Sequence, residues 1–378
     1  MENFDDIRPF YDSEIPGAMA RIAHAEAFPM IASYVFPELT LEEARERIEG
    51  ISTIAEFQHR IMYDVNVQII RRSISKLTCS GLERLDRGGA YLFVANHRDI
   101  MLDASLLQNL VTDYGMDTAY ITFGANLMTH PVVVDVGKSN KMFRVERGGT
   151  MRDFYMSSRH LSDYIRYIIT ECHQSVWIAQ RNGRTKDGND ATDQGIIKMF
   201  GLSHPADKID ALDALHIVPV CVSYEWEPCD VLKAIELYTS RSQRYIKKPG
   251  EDLNSILHGI LQPKGATHFE ICEPLTRDEL LSFNELTVGD YHRSVARLID
   301  KRLHAAYRLT VNNFIAHDLR YGQQRYTDRY TQAQKQDFLR NMSQLRQFDV
   351  EEPDVLQDIF LGIYANPVNN APHAEYIS

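Results

Sequence analysis

No apolar stretch in this sequence approaches the ~18 residues a helix needs to cross a bilayer, so the 378-residue chain is not expected to span one. Cysteine is sparse. The five (Cys79, Cys172, Cys221, Cys229, Cys272) are scattered and form no CxxC pair, which removes a zinc ribbon and a dithiol redox motif and leaves reduced, buried thiols. Positive charge is in deficit: Lys+Arg 41 against Asp+Glu 52 gives a net −11, without the basic footprint of a general nucleic-acid binder. A local basic cluster can still capture an anion inside an acidic protein. There is no HExxH pair for zinc, and His97 with Asp99 and Asp103 is too thin a set to hold a metal. The opening MENFDDIRPF is acidic and polar, unlike a signal or transit peptide. What is present is globular in character: 44% hydrophobic and 25% charged residues, at a length that suits one large domain with helical additions, or two domains.

Periodicity divides the chain into three parts. Residues 1–76 read as a helical N-terminal segment, with Thr40-Leu41-Glu42-Glu43 as a capped helix start and Ile54, Phe57, Ile61, Val65 and Ile69 on one face. Residues 77–275 alternate short apolar runs (91–94, 119–123, 142–145, 176–179, 217–222, 268–271) with helical stretches (103–114, 151–172, 190–203, 229–240, 250–262). That alternation predicts an α/β fold with a mixed, mainly parallel sheet flanked by helices. Residues 276–378 read as a helical C-terminal extension, with helices at 287–316, 331–346 and 353–365 and a frayed polar tail from Asn366.

Three clusters carry the chemistry. In Phe93-Val94-Ala95-Asn96-His97-Arg98-Asp99-Ile100-Met101-Leu102-Asp103, an apolar strand ends in Asn-His and a carboxylate follows. A histidine at a strand's carboxyl end, its tautomer fixed by a carboxylate, suits removal of a hydroxyl proton. The plain alternative is a capping Asn beside a surface His. His97-Arg98-Asp99 also mimics a protein kinase loop, but Ala104 stands where that loop needs Asn, and no glycine-rich loop precedes it. The second cluster, Phe143-Arg144-Val145-Glu146-Arg147-Gly148-Gly149, delivers arginines into a glycine turn. The third, Trp177-Ile178-Ala179-Gln180-Arg181-Asn182-Gly183-Arg184-Thr185-Lys186-Asp187-Gly188, opens a strand into a basic loop; it is no P-loop, since Asn189 replaces the lysine. Guanidinium forks bind phosphate bidentately, and glycines let backbone approach it. Singly, each loop reads equally as a solvated turn. Trp177 and Phe143 read as core, and the Met and Phe side chains of 19–36 as packing. Arg71-Arg72 and Lys247-Lys248 read as solvated faces within reach of anionic headgroups.

These clusters, followed by Ile217-Val218-Pro219-Val220, resemble in order the four blocks of the glycerolipid acyltransferase superfamily, which includes glycerol-3-phosphate and 1-acylglycerol-3-phosphate acyltransferases. The resemblance covers roughly 77–275, and Lys247 through Pro274 looks more like the glycerol-3-phosphate branch. It implies transfer of a fatty acyl group from acyl carrier protein or acyl-CoA to the hydroxyl of glycerol 3-phosphate or a lysophosphatidate-like acceptor, with no metal or bound cofactor. By the same resemblance His97 is the base and Asp103 its partner. Asn96, Arg144, Arg147, Asn182, Gly183, Arg184 and Lys186 surround the acceptor, with Arg147 and Arg184 on its phosphate. The implied setting is the cytoplasm, peripherally on a membrane. Two departures stand out. Block one reads His97-x5-Asp103, one residue longer than the family's His-x4-Asp, so either the turn bulges or Asp99 takes the role. In block three, Asn182 precedes Gly183 where the family has glutamate, and an amide brings no charge. These departures keep two rivals open: a same-fold acyltransferase for another lipid acceptor (an aminoacyl lipid or lipid A precursor), and a non-catalytic lipid-binding member.

Overall fold

The computed structural model describes residues 3–370 except 129, 147, 205 and 244. Its centre is a seven-stranded sheet made of β1 (Ile74–Ser80), β2 (Leu92–Ala95), β3 (Tyr120–Gly124), β4 (Met142–Val145), β5 (Val176–Ala179), β6 (Ile217–Tyr224) and β7 (Gly265–Ile271), in the order β1-β7-β6-β2-β5-β3-β4. The pairings β1–β7, β6–β2, β2–β5, β5–β3 and β3–β4 are parallel, and only β6–β7 is antiparallel. Parallel strands must be covered on both faces, which is why β2 is apolar throughout, β6 is apolar up to Ser223, and both are fully buried. Leu92, Val94, Val176, Ile178 and Ile217 pack against the layer that includes helices Met151–Thr170, Gln194–Phe200 and Val288–Ala306. Their neighbours Phe93, Ala95, Trp177, Val218 and Val220 face the layer of Tyr63–Ser73 and Leu102–Tyr114. His97 leaves β2 in phase with the second set.

The α/β architecture expected from the sequence is present, with helical segments at both ends of the chain. Three details differ. The first helical segment ends at Ser73 rather than 76, because Ile74 opens β1 and pairs with Gly265. The stretch 287–316 is two helices, Val288–Ala306 and Val311–Tyr321. They are parted where Tyr307 and Leu309 turn into the core and Arg308 N donates to Ser223 Oγ at 3.0 Å. The last helix, Pro353–Asn370, runs through the residues expected to fray from Asn366; 371–378 lie outside the described residues.

Candidate active site

At the carboxyl end of β2 the chain wraps around one carboxylate. Asp103, in the first turn of helix Leu102–Tyr114, is 1% exposed and takes four hydrogen bonds. Its Oδ2 meets His97 Nδ1 at 2.9 Å and accepts the backbone N–H groups of Arg98 (2.6 Å) and Asp99 (2.9 Å); its Oδ1 accepts Tyr224 Oη at 2.8 Å. Burial, and then the nearby Asp103 charge, hold the Tyr224 phenol well above its usual value, so it stays a donor. The extra residue in His97-x5-Asp103 is accommodated in the turn that aims those two N–H groups at the carboxylate. With Nδ1 engaged there, Nε2 is the imidazole nitrogen left for a substrate. The ring itself is partly exposed and lies edge-on to Trp177, centroids 5.5 Å apart.

Asp99 serves differently. Its Oδ1 accepts Met101 N (2.9 Å) and Leu102 N (2.8 Å) where the chain enters the helix. Its Oδ2 is buried with no partner among the described residues. Burial, and secondarily the Asp103 charge, push this carboxyl above the ordinary carboxylate range.

The loop is anchored from beneath by charges that sequence reading did not connect. Arg98 is 1% exposed; its Nη2 meets Asp190 Oδ2 at 2.6 Å, its Nη1 meets Glu227 Oε2 at 3.2 Å, and the guanidinium lies over the Tyr307 ring. Lys233 Nζ donates to Arg98 O (2.6 Å) and Glu227 Oε1 (2.5 Å). Two cations and two anions thus balance inside the protein, and removing one would strand a buried charge at a cost of about 3–5 kcal/mol. Asn96, fully buried, is engaged in the same framework. Its Nδ2 donates to Asp190 Oδ2 and Val222 O, and its Oδ1 accepts Val222 N. Both N–H groups of its amide are thus engaged within the protein, and its Oδ1 keeps one lone pair.

The basic loop after β5 meets this strand end where Thr185 N donates to His97 O at 2.7 Å. Arg184 has a buried Nη1 with no partner among the described residues, and its charge is within range of both Asp99 and the Cys229 thiol. Gly183 has φ +76 with open space around it, and Asn182 beside it is exposed. Lys186 is not free as expected, because Glu236 pairs with it. Gly188 (φ +77) lies against the last helix, where a Cβ would come 2.2 Å from Ile363 O, and Asn366 Nδ2 reaches Asp187 O at 2.7 Å. Arg144 is apart from these residues. It is exposed on β4, three strand spacings of about 4.8 Å from β2, and its Nε pairs with Glu146 at 2.6 Å. Arg147 lies outside the described residues. A separate groove lined in part by Arg84, Arg302 and Arg308 includes none of these side chains, and Glu270, Glu273 and Glu279 take up its guanidinium groups.

The missed residues left only faint traces in the sequence. Tyr224 stands two positions past the stretch read as the sixth strand, and Arg98 was noticed only as part of a kinase mimic. Their partners are 92 to 135 residues away, where no spacing rule reaches.

Residues 76–223 match the family model described as Acyltransferase. This stretch contains β2 through β6 almost whole, with His97, Asp103 and the basic loop. Among solved structures, the chain is similar to PlsC, the 1-acyl-sn-glycerophosphate (LPA) acyltransferase of Thermotoga maritima. The match covers 77% of this chain and 94% of that one at 13% identity and a TM-score of 0.37. No curated protein matches the chain by sequence.

Proposed function

We propose that the protein transfers a fatty acyl group from a thioester of coenzyme A or acyl carrier protein to the hydroxyl of a glycerol-phosphate-type acceptor, glycerol 3-phosphate or a lysophosphatidate. The observation that carries this is the His97 Nδ1–Asp103 Oδ2 contact within the stretch that matches the Acyltransferase family model. Asp103 fixes the tautomer, so Nε2 takes the acceptor's proton as its oxygen attacks the thioester carbonyl. The tetrahedral intermediate collapses by breaking the C–S bond, and the imidazolium returns the proton to the departing thiolate. Arg184, with a buried N–H group still to satisfy, holds the acceptor phosphate. The buried Arg98–Asp190–Glu227–Lys233 quartet keeps the His97 loop rigid. No metal or bound cofactor takes part, and the protein works at the cytoplasmic surface of a membrane, where its acceptor and product reside. A thioester-release assay against phosphorylated and unphosphorylated glycerol-type acceptors tests the reading. Release that depends on a phosphorylated acceptor is expected; release indifferent to phosphate removes the Arg184 role, and no release with any acceptor removes the catalytic reading.

A further inference from the structure

Helix Glu251–Leu261 has two unlike faces. Inward, Ser255 and Gly259 are buried; Ser255 O accepts the Cys229 thiol, and Gly259 approaches the catalytic turn so closely that a Cβ would sit 2.1 Å from Asp99 Oδ2. Outward, Leu253, Leu257 and Leu261 repeat every four residues and are 46%, 41% and 62% exposed, and Ile246 ahead of them is 81% exposed. A helix normally turns such a stripe to the core; here it faces out, directly behind the residues that flank His97.

The ends of the stripe are basic. Lys247 and Lys248, both exposed, precede the helix. Beyond its far end, Lys264 N donates to Ser73 O at 2.6 Å, which joins this end to the segment carrying the exposed Arg71 and Arg72; the Arg72 guanidinium lies over the Tyr34 ring, and Arg71 is the cation left there. The opposing charges are Glu251 and Asp252; Lys247 and Asp252 pair with each other at 2.5 Å, and Asn126 also donates to Asp252 at 3.0 Å, so Lys248 is the cation left at this end. An 11-residue helix is about 16 Å long, so the three leucines form one short exposed stripe, with Lys248 before it and Arg71 on the segment tied to its far end. In a protein of net charge −11 this is an exposed apolar stripe flanked by cations.

We propose that this leucine face docks the protein on an anionic lipid surface and so holds the His97 turn close to it. Apolar side chains enter the headgroup boundary while the flanking cations meet lipid phosphates. The inference rests on the lipid acyl-transfer reading and names the surface through which that site meets its partner.

Two independent measurements on the full chain test it. Co-sedimentation uses vesicles of phosphatidylcholine alone and of equal parts phosphatidylcholine and phosphatidylglycerol; thioester release without vesicles uses glycerol 3-phosphate as acceptor. The chain should bind the mixed vesicles more tightly than the neutral ones. Leu257→Asp with Leu261→Asp should weaken that binding at least about tenfold while leaving release in solution unchanged. Lys248→Glu with Arg71→Glu should lower binding to mixed vesicles and reduce its salt dependence. Failure of the native chain to bind either vesicle, or leucine variants that bind as it does, overturns the docking face. So does a leucine variant that loses release only when acyl carrier protein is the donor, which would assign the face to that acidic partner. Normal vesicle binding by a chain that releases no thiol would defeat the acyl-transfer reading and leave the docking face standing.

Discussion

The strand end at His97 and the loop at Arg184 lie side by side and are built on opposite plans. At the first, the groups around His97 are held by several contacts each: Asp103 receives four hydrogen bonds, Asn96 makes three, and Arg98 is held between two carboxylates, with Arg98 Nε and Asp190 Oδ1 the atoms left over. At the second, buried polar atoms are open: Arg184 Nη1, Thr185 Oγ1 and Gln180 Nε2 have no partners among the described residues, nor does Asp99 Oδ2 close by. Buried polar atoms are usually satisfied, and leaving one unmade costs about 1–3 kcal/mol. The difference separates two tasks. A group that moves a proton must be fixed before substrate arrives, whereas groups that hold substrate keep their hydrogen-bonding capacity for it.

The largest expected effect comes from breaking the His97 side. His97→Ala should remove turnover, and Asp103→Asn should lower kcat by roughly 100- to 10,000-fold with little change in acceptor KM. Steady-state kinetics on variants with native circular dichroism checks this; full activity in His97→Ala would dispose of the mechanism. On the open side, Arg184→Ala should raise acceptor KM far more than donor KM, by about 10- to 100-fold, with partial recovery in Arg184→Lys, which lacks the fork. Equal effects on both substrates would instead give Arg184 a structural or donor-side role.

Gly188→Ala sharpens the comparison at lower amplitude, because it perturbs the loop's seat without removing a charge. Its φ of +77 and the 2.2 Å approach to Ile363 O predict a loss of stability of more than about 1 kcal/mol. Denaturant titration measures that loss, and acceptor KM should rise in the same variant while His97-dependent chemistry persists. Asp99→Asn is the mildest. Burial holds the Asp99 carboxyl above the usual value of about 3.9, so the fold prefers it protonated, and stability is lost as pH rises from the unfolded value through the folded one. The variant escapes that loss while Oδ1 can still accept Met101 N and Leu102 N. Its melting temperature relative to the native chain should therefore climb as pH rises above the ordinary carboxylate value of about 3.9, with kcat little changed. A fall in relative stability over that range, or a collapse of kcat, would show that the Asp99 charge is needed.

Six of the seven strands were legible: β2 to β6 as short, nearly continuous apolar runs, the pattern a doubly covered sheet requires, and β7 from Phe269 and Ile271 despite His268 before and Glu270 between them. β1 was not, since its Ile74-Ser75-Lys76-Leu77-Thr78-Cys79-Ser80 is polar enough to continue the preceding helix. Pro219 was visible as an oddity within an apolar run; its carbonyl accepts Cys272 N where β7 leaves the sheet. The choice between Asp99 and Asp103 stayed open in the sequence because spacing counts residues and not the path of a turn. Two backbone N–H groups pointing at Asp103 Oδ2 decide the geometry, and backbone direction is not written in side-chain identity. The acceptor contact expected of Arg144 overlooked strand order, which puts β3 and β5 between it and His97.

Helix Pro353–Asn370 touches Gly188 and Asp187 from a part of the chain beyond the matched domain of 76–223. Its Tyr364 accepts Glu227 N and donates to Asp230, tying the same helix to the segment that carries the buried quartet. The ribosome completes this helix after the loop at Gly188 and the segment at Glu227, so a nascent chain can assemble the His97–Asp103 pair before the loop at Gly188 has its seat. The same arrangement gives mutation a lever on substrate choice: changes at Ile363, Asn366 or Pro367 can reshape the loop while every residue of the sheet and the proton-moving pair stays as it is.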